Sequence, residues 1–405
     1  MSAQVTLTRP KSPEWTFRMT RTRIVLLALA GVAAGIALYR FIYGLGAATN
    51  LSDRWPWGIW IWWDVLTGVA LAGGGYSTAL LVHFFGRDRW KAVERGAFVT
   101  SLIGYVMVCG GLFLDLGRWY NAWRPVAFWG YHSVMFELFW CVGGYTVVQL
   151  VEFGHIFIEK VHAPRLARAM HRIYAPVLIV GVILPVLHQS ALGSLYVIAK
   201  GKLDPLWWSL LLPLFFLLSS FFVGPAMVTV ENFLSARSHR EHRPPSPLLR
   251  EMMRLAAWLM VAYLVLKVAD LAWRGVIPHL LDGSVVSDLF LAEIALGVAA
   301  PTIMIFMPRV RSSARGLVTA AALVALGVAL NRANVVFTGM AASAGGVAYF
   351  PYWMEFAVTI GLISVGLLAY LFITENFPIL PGRETTSPAE PAPAEPARKE
   401  HALVK

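Results

Sequence analysis

Charged residues are scarce in this chain of 405 residues. Asp, Glu, Lys and Arg together make up 14% of it, whereas hydrophobic residues make up 58%. Soluble domains carry roughly a quarter charged residues, so the composition excludes an ordinary water-soluble protein. The mean hydropathy of +0.62 agrees with that exclusion. Most of the chain is therefore expected to lie in lipid.

Cysteine is almost absent. The two cysteines, Cys109 and Cys141, both fall inside apolar segments. They cannot form a disulfide framework or a CxxC metal site, and they are too few for an iron–sulfur cluster held by four cysteines. We therefore predict no metal site in this chain.

Strict alternation of polar and apolar residues is also missing, which argues against a transmembrane β-barrel. Continuous apolar runs are present instead, and about 20 such residues span a bilayer as a helix. The sequence predicts an all-α polytopic membrane protein with about ten transmembrane helices in two bundles. The predicted spans are 24–46, 58–85, 97–117, 129–155, 173–190, 206–231, 252–274, 285–307, 315–337 and 352–374.

The basic residues predict the orientation of these spans. With both termini in the cytoplasm, 24 Lys and Arg residues lie in cytoplasmic segments and only 6 in outer loops. This asymmetry follows the positive-inside rule. The net charge of +11 is then a consequence of topology, and it gives no reason to expect a nucleic-acid partner.

The same pattern predicts five regions. Residues 1–23 form a basic cytoplasmic tail, and residues 24–231 form a first transmembrane half that contains the reactive bundle. A cytoplasmic linker, 232–251, leads to a second bundle at 252–374. The tail 375–405 is rich in Pro, Ala and Glu, and it is expected to be disordered.

Ionisable and polar residues within spans mark candidate functional positions, because such groups are costly in lipid. Tyr105 lies about 18 Å below the outer end of span 3, and Glu137 lies about 12 Å below Trp129 if span 4 is helical from there. Asp115 ends span 3. It is predicted either to pair with Arg118 or to line the mouth of a cavity.

Other polar residues lie at span ends. His188 and Gln189 follow Pro185 at the outer edge of span 5, where His188 is either a satisfied interfacial histidine or a hydrogen-bond donor to a ligand carbonyl. Glu231 ends span 6 as a solvated carboxylate or as part of a proton route. Arg40 is expected to extend to the outer surface. In the second half we expect mutual ion pairing within one set: Lys267, Asp270, Glu293, Arg332 and Glu355.

Three functions fit a bundle with such groups. A quinone-reacting subunit needs an apolar cleft with proton-exchanging side chains, for which Tyr105, Asp115, Glu137 and His188 are suitable types. A di-haem cytochrome needs paired histidines at matched depth, and the spacing of the histidines disfavours it. A secondary transporter would show inverted repeats, and none is visible.

Several motifs resemble a known family. The strings WPWGIWIWWDVLTGVALAGGGY, DLGRWYN, HSVMFE, LPVLHQSALGSL, LNRANVV and AYFPYWMEF are similar to the NrfD/polysulfide-reductase membrane subunits. The likeness is greatest to the membrane subunit of hydrogenase-2-type [NiFe] uptake hydrogenases, often labelled a cytochrome b subunit. It extends from about residue 24 to 382.

The resemblance implies a non-autonomous subunit in the bacterial inner membrane that passes electrons to menaquinone or ubiquinone, without haem. Its implied partners are a four-cluster ferredoxin-like subunit and the [NiFe] hydrogenase small and large subunits. Related chains serve polysulfide, nitrite or molybdopterin reductases instead, and a haem b cytochrome is a further alternative. The implied quinone and proton positions are Tyr105, Asp115, Glu137, His188 and Glu231.

Overall fold

The structure is a computed structural model that describes residues 15–86, 88–161, 163–238 and 244–379. Within these ranges the chain is almost entirely helical and forms no β-strand. Ten helices there are long and apolar enough to cross a membrane. They are α1 (Arg21–Tyr43), α2 (Trp60–Phe84), α3 (Asp88–Asp115), α4 (Val134–Val161), α5 (Arg172–Ile198), α6 (Leu212–Ser238), α7 (Ser246–Trp273), α8 (Val285–Phe306), α9 (Ala314–Ala344) and α10 (Trp353–Asn376).

The predicted class and the number of helices are confirmed. Most helices extend beyond their apolar stretch, because helical hydrogen bonding continues into the polar residues at the membrane surface. The helix that contains α5, for example, already begins at Pro164. The largest error is at the start of α3, which begins at Asp88 rather than at residue 97. The error that affects the candidate site is at the start of α4, which begins at Val134 rather than at residue 129.

Eight of the helices form two four-helix bundles. In the first bundle, α2, α3, α4 and α5 pack in a closed ring. In the second, α6, α7, α8 and α9 do the same. Helix α6 joins the two, because it also packs on α2 and α5.

The remaining two helices, α1 and α10, pack against each other along their length, and α10 also packs on α3. A Cβ atom added to Gly361 of α10 would overlap Ala33 of α1, so small residues allow this close approach. The last helix therefore lies beside the first bundle. The division of the chain into regions 24–231 and 252–374 stays a prediction. Helix α6 packs on helices of both bundles and α10 packs on α3, so the helix contacts do not follow that division.

Both ends of the described chain lie at the same end of the molecule. Trp15 stacks on Phe372, with ring centroids 6.1 Å apart, and Arg23 forms an ion pair with Glu375 at 2.6 Å. This agrees with an even number of spans. The direction of the chain across the membrane stays a prediction, and residues 1–14 and 380–405 lie outside the described residues.

Glycines bring the backbones of α2 and α6 into contact between the bundles. A Cβ atom on Gly73 would lie 2.8 Å from Ser220 O. A Cβ atom on Gly224 would lie 2.9 Å from Gly73 O and would overlap Ser77 Oγ. Because lipid provides no hydrophobic drive between helices, such close packing is a main source of association.

We predict that Gly224→Ala separates α2 from α6 and destabilises the protein by about 1 to 3 kcal/mol, the usual effect of overpacking. The measurement is thermal unfolding of the purified subunit in mild detergent. Gly143→Ala is the matched control, because a Cβ atom on Gly143 in α4 meets nothing within 4 Å. Equal unfolding temperatures for the two variants would contradict the prediction.

Candidate functional site

Tyr105 of α3 and His188 of α5 face each other inside the first bundle. Both side chains are fully buried, and Tyr105 Oη lies 3.3 Å from His188 Nδ1. Their rings meet edge to face, with centroids 5.5 Å apart. The structure therefore brings together two residues that the sequence could only place on separate helices.

Polar atoms beside this pair lack partners. Among the described residues, His188 Nε2 has no hydrogen-bond partner, and neither does the Oε1 atom of the neighbouring Gln189. The Gln189 amide is held in place because its Nε2 donates to Val69 O at 3.0 Å. Buried polar atoms are nearly always satisfied, so unsatisfied ones suggest a place for a ligand or water. A ligand could reach them only if neighbouring side chains move, since both residues are fully buried.

A chain of polar side chains continues from Tyr105 towards the end of the bundle that is predicted to be cytoplasmic. Tyr145 of α4 meets Tyr105 edge to face, with ring centroids 4.5 Å apart. It lies beside Ser101 and Gln149. Gln149 Nε2 donates to Ser101 Oγ at 2.7 Å, and Gln149 Oε1 has no partner among the residues that the structure describes. Hydroxyl and amide groups thus follow one another along the bundle.

Glu231 of α6 lies further along in the same direction. A narrow void between α3 and α6 is lined by Thr100, Ser101 and Glu231, and it is too narrow for a water molecule. Tyr370 Oη donates to Glu231 Oε1 at 2.9 Å, while no described residue bonds Oε2. Glu231 is only 8% exposed. The alternative of a solvated interfacial carboxylate is therefore wrong.

Glu137 does not lie where the sequence placed it. It is in the first turn of α4, and its side chain is exposed. The expected depth was wrong because the aromatic residues before Val134 form a loop with two short helical turns, Trp119–Asn121 and Arg124–Ala127. Glu137 precedes Tyr145 by eight residues, about 12 Å along the helix. It does not join the Tyr105–His188 pair.

Asp115 is partly buried at the outer end of α3. It forms no ion pair with Arg118, which is exposed; its electrostatic neighbours are Arg40 and Glu355. Arg40 is fully buried and donates to Leu116 O, so the expectation that it reaches the outer surface is wrong. Within the described ranges the Asp115 Oδ1 atom has no hydrogen-bond partner.

Asp64 is a buried carboxyl for which the sequence suggested no role. It lies in a π-helical stretch of α2, Trp60–Thr67, and accepts a hydrogen bond from Thr359 Oγ1 at 2.9 Å. Nearby, Tyr349 Oη donates to Glu355 Oε2 at 2.6 Å. Burial and the Glu355 carboxylate raise the pKa of Tyr349, so that its phenol keeps the donated proton.

The charged residues of the second half are not mutually paired as expected. Glu293 accepts from Trp207 Nε1 at 2.9 Å, Asn331 Nδ2 at 2.7 Å and Asn334 Nδ2 at 2.8 Å. Arg332 donates to Asn331 Oδ1 at 2.6 Å rather than to a carboxylate.

The other members of that set are held in different ways. Lys267 Nζ lies 4.8 Å from the centre of the Phe215 ring. Asp270 does form an ion pair, at 2.7 Å, but with Arg274. Glu355 caps the first turn of α10, where it accepts from the backbone N–H of Tyr352 at 2.9 Å.

Among the described residues, His83, His155 and His188 do not offer a facing pair of free haem ligands. His188 Nδ1 faces Tyr105, and His83 Nε2 contacts Glu94 Oε1 at 2.5 Å. His155 lies near the opposite end of the bundle from His188, and Tyr174 contacts the rings of both His83 and His155. In this arrangement the residues do not fit an axially coordinated haem.

Comparison with known proteins identifies a family that the chain matches. The model of the family described as Polysulphide reductase, NrfD matches residues 47–344. Among curated proteins, the chain is 32% identical over 351 residues to a protein of Escherichia coli named as a probable Ni/Fe-hydrogenase 2 b-type cytochrome subunit. That match covers 84% of this chain and 88% of the relative.

Two more distant relatives are named for quinone chemistry. The integral membrane subunit of menaquinone reductase from Nitratidesulfovibrio vulgaris is 24% identical over 380 residues, 85% of this chain and 88% of that protein. An Hdr-like menaquinol oxidoreductase integral membrane subunit from Archaeoglobus fulgidus is 21% identical over 387 residues, 89% of this chain and 94% of that protein. All three relatives are matched over most of their length.

Proposed function

Because the chain belongs to the polysulphide reductase NrfD family, we propose that it is the quinone-reacting subunit of a respiratory complex in the bacterial inner membrane. It is a multi-pass integral membrane protein related to hydrogenase and menaquinone reductase membrane subunits. In this proposal it receives electrons from an iron–sulfur subunit on the outer side and delivers them to the quinone pool. Alone it would have no activity.

The observation that carries the proposal is the buried pair of Tyr105 and His188. A quinone site needs hydrogen-bonding groups in apolar surroundings that can hold and exchange protons. The unpartnered His188 Nε2 can exchange a proton and the unpartnered Gln189 Oε1 can accept a hydrogen bond, and both atoms lie between apolar helices. Among the described residues, the pair combines two titratable side chains with orphaned polar atoms.

The quinone, menaquinone or ubiquinone, would supply two-electron chemistry coupled to two protons. His188 would hold the ring oxygen through Nε2, while its Nδ1 faces the Tyr105 hydroxyl. Gln189, fixed by its bond to Val69 O, would complete the polar wall. Asp115, with Arg40 beside it, would shape the outer mouth of the site.

Protons would reach this pair along the polar side chains of the bundle. The proposed inner route runs from Glu231 past Ser101 and Gln149 to Tyr145 and Tyr105. The void beside Glu231 is closed to water, so transfer requires local side-chain movement. Glu137, at the outer end of α4, is proposed to exchange protons on the opposite side.

The proposed partners are a four-cluster ferredoxin-like subunit and the small and large subunits of a [NiFe] hydrogenase. The relative named as a hydrogenase 2 subunit supports this choice, since it is matched over 88% of its length. A second candidate is another respiratory reductase, favoured by the relative named as a menaquinone reductase subunit. We propose that the chain binds no haem, although one relative's name includes b-type cytochrome. The arrangement of His83, His155 and His188 supports this.

We predict that Tyr105→Phe lowers quinone reduction by the purified complex at least tenfold, because the phenyl ring keeps the packing but loses the hydroxyl that faces His188. Activity of the partner enzyme with a soluble dye should be unchanged, since that path bypasses the membrane subunit. Tyr263→Phe is the matched control, because Tyr263 is an equally buried tyrosine of the second bundle. Wild-type quinone reduction in Tyr105→Phe would overturn the proposal.

We predict that Glu137→Gln and Glu231→Gln each leave assembly intact while abolishing most quinone-linked electron transfer. Glutamine keeps the size and hydrogen-bonding capacity but removes the exchangeable proton. Glu159→Gln is the control, since Glu159 is an exposed partner of Arg95. Proteoliposomes with a trapped pH dye measure proton uptake beside quinone reduction. If only one of the two variants slows turnover, the other residue has no part in the proton route.

The outer loop between α3 and α4 is predicted to dock the electron-donating subunit. It exposes aromatic side chains and Arg, types favoured at the centres of interfaces: Trp119, Tyr120, Trp123, Arg124 and Trp129. A photoreactive amino acid at 120 or 123 should capture a partner subunit. Position 258, an exposed tryptophan of α7, is the control. Capture of partners only from loops at the opposite end would reverse the proposed orientation.

A further inference from the structure

A cavity of about 470 Å³ lies between α2, α6 and α7, outside the first bundle. Its walls are mostly apolar and include Leu80, Phe221, Leu255 and Leu259. It reaches the surface beside Phe85 and Leu255, which are both exposed. The volume is within the range of about 300 to 1,000 Å³ that is usual for ligand sites.

The cavity extends along α7. Glu251 and Leu259, both in its wall, are eight residues apart, which corresponds to about 12 Å along the helix. Glu251 is in the second turn of α7, so this end of the cavity lies near the membrane surface and the other end lies deeper in the bilayer. An apolar cavity that extends from the surface into the bilayer suits an acyl chain.

A buried polar atom marks the surface end. Trp90, at the start of α3, lines the cavity and is only 3% exposed. Its Nε1 hydrogen has no acceptor within the described part of the chain. An indole N–H at this depth normally finds a partner, and a phosphate or ester oxygen of a lipid is a suitable one.

The charges around this end favour an anionic headgroup. Glu251 is neutralised by an ion pair with Arg89, the residue before Trp90. Arg250 and Arg254 flank Glu251 on α7, and neither forms an ion pair within the described part of the chain. Basic groups between transmembrane helices at a membrane surface are typical of sites for anionic lipids.

We propose that this cavity is a binding site for an anionic phospholipid, with one acyl chain between α6 and α7 and the phosphate beside Trp90 and Arg254. The site is separate from the Tyr105–His188 pair and does not depend on the proposed function. A lipid held there would join the two bundles, because α2 belongs to the first and α6 and α7 belong to the second.

The experiment uses the purified complex in nanodiscs of phosphatidylcholine that contain one fifth phosphatidylglycerol. The phosphatidylglycerol carries a diazirine on its acyl chain, and crosslinked peptides are identified by mass spectrometry. Labelling should fall on 221–225 and 255–259. An equally labelled phosphatidylcholine probe in the same mixture should label these peptides several-fold less.

Two substitutions test the two parts of the site. Leu255→Trp fills the channel and should lower labelling at least fivefold, whereas Val265→Trp, on an exposed part of the same helix, should not. Arg254→Gln should lower the preference for phosphatidylglycerol about fivefold, the effect of one basic residue near an anionic surface. Arg309→Gln, an exposed arginine at the same end of the bundle, is its control.

Equal labelling by the two lipids would overturn the proposed headgroup, and equal labelling of Leu255→Trp and Val265→Trp would overturn the proposed channel. Recovery of quinone from this cavity, measured by extraction after washing in lipid-free detergent, would identify a different occupant and would also reject the proposal. If Leu255→Trp fails to assemble, the Arg254→Gln result and the comparison of lipids decide the matter.

Discussion

Inside a lipid bilayer a polar group can be satisfied only by the protein itself, and this constraint determines where each polar side chain of the chain can lie. The second bundle comes close to meeting it. Both carboxylate oxygens of Glu293 accept hydrogen bonds from three donors, although Glu231 Oε2 and Arg332 Nε have no partner among the described residues. The first bundle departs from it further, since His188 Nε2, Gln189 Oε1 and Gln149 Oε1 are buried without partners in the described part of the chain. More of the unsatisfied atoms belong to helices of the first bundle, and that asymmetry is the physical reason to place chemistry there.

The helices themselves were predictable because one property, the length of apolar runs, decides whether a segment spans a membrane. The predicted start of α4 was wrong because hydrophobic residues also occur in loops outside the membrane-spanning helices. Trp129 and Tyr131 are hydrophobic enough to extend a predicted span, yet they lie exposed in the loop before Val134. A hydropathy argument cannot separate an aromatic residue in lipid from one on an outer surface. The misplaced start of α4 put Glu137 too deep.

Residue types in the site were predictable, but their pairing was not. Tyr105 and His188 are 83 positions apart, and nothing in periodicity shows that α3 and α5 turn these two side chains towards each other. Pairing in the second half failed for a related reason. Lys267 and Arg332 carry the charge opposite to that of Glu293 and were expected to pair with it. The Glu293 carboxylate instead accepts from the amides of Asn331 and Asn334, and the Arg332 guanidinium donates to Asn331. Neutral residues carry no charge pattern, so the sequence gives no signal for this arrangement.

The π-helical turns offer a signal of another kind, visible only in the structure. Three of the four π-helical stretches in the described chain occur at or beside a buried polar group: Asp64 lies within Trp60–Thr67, Asn334 begins Asn334–Thr338, and Glu293 closely precedes Ala295–Ala299. The fourth is Leu80–Phe84. A π-turn adds a residue to the helix and rotates the side chains around it, at a cost in backbone hydrogen bonding. In lipid that cost is accepted only where an inward polar contact offsets it. Asp64 therefore has a structural reason for its position, its bond to Thr359 Oγ1 between α2 and α10. That hydrogen bond connects the pair of helices α1 and α10 to the bundle that contains Tyr105 and His188.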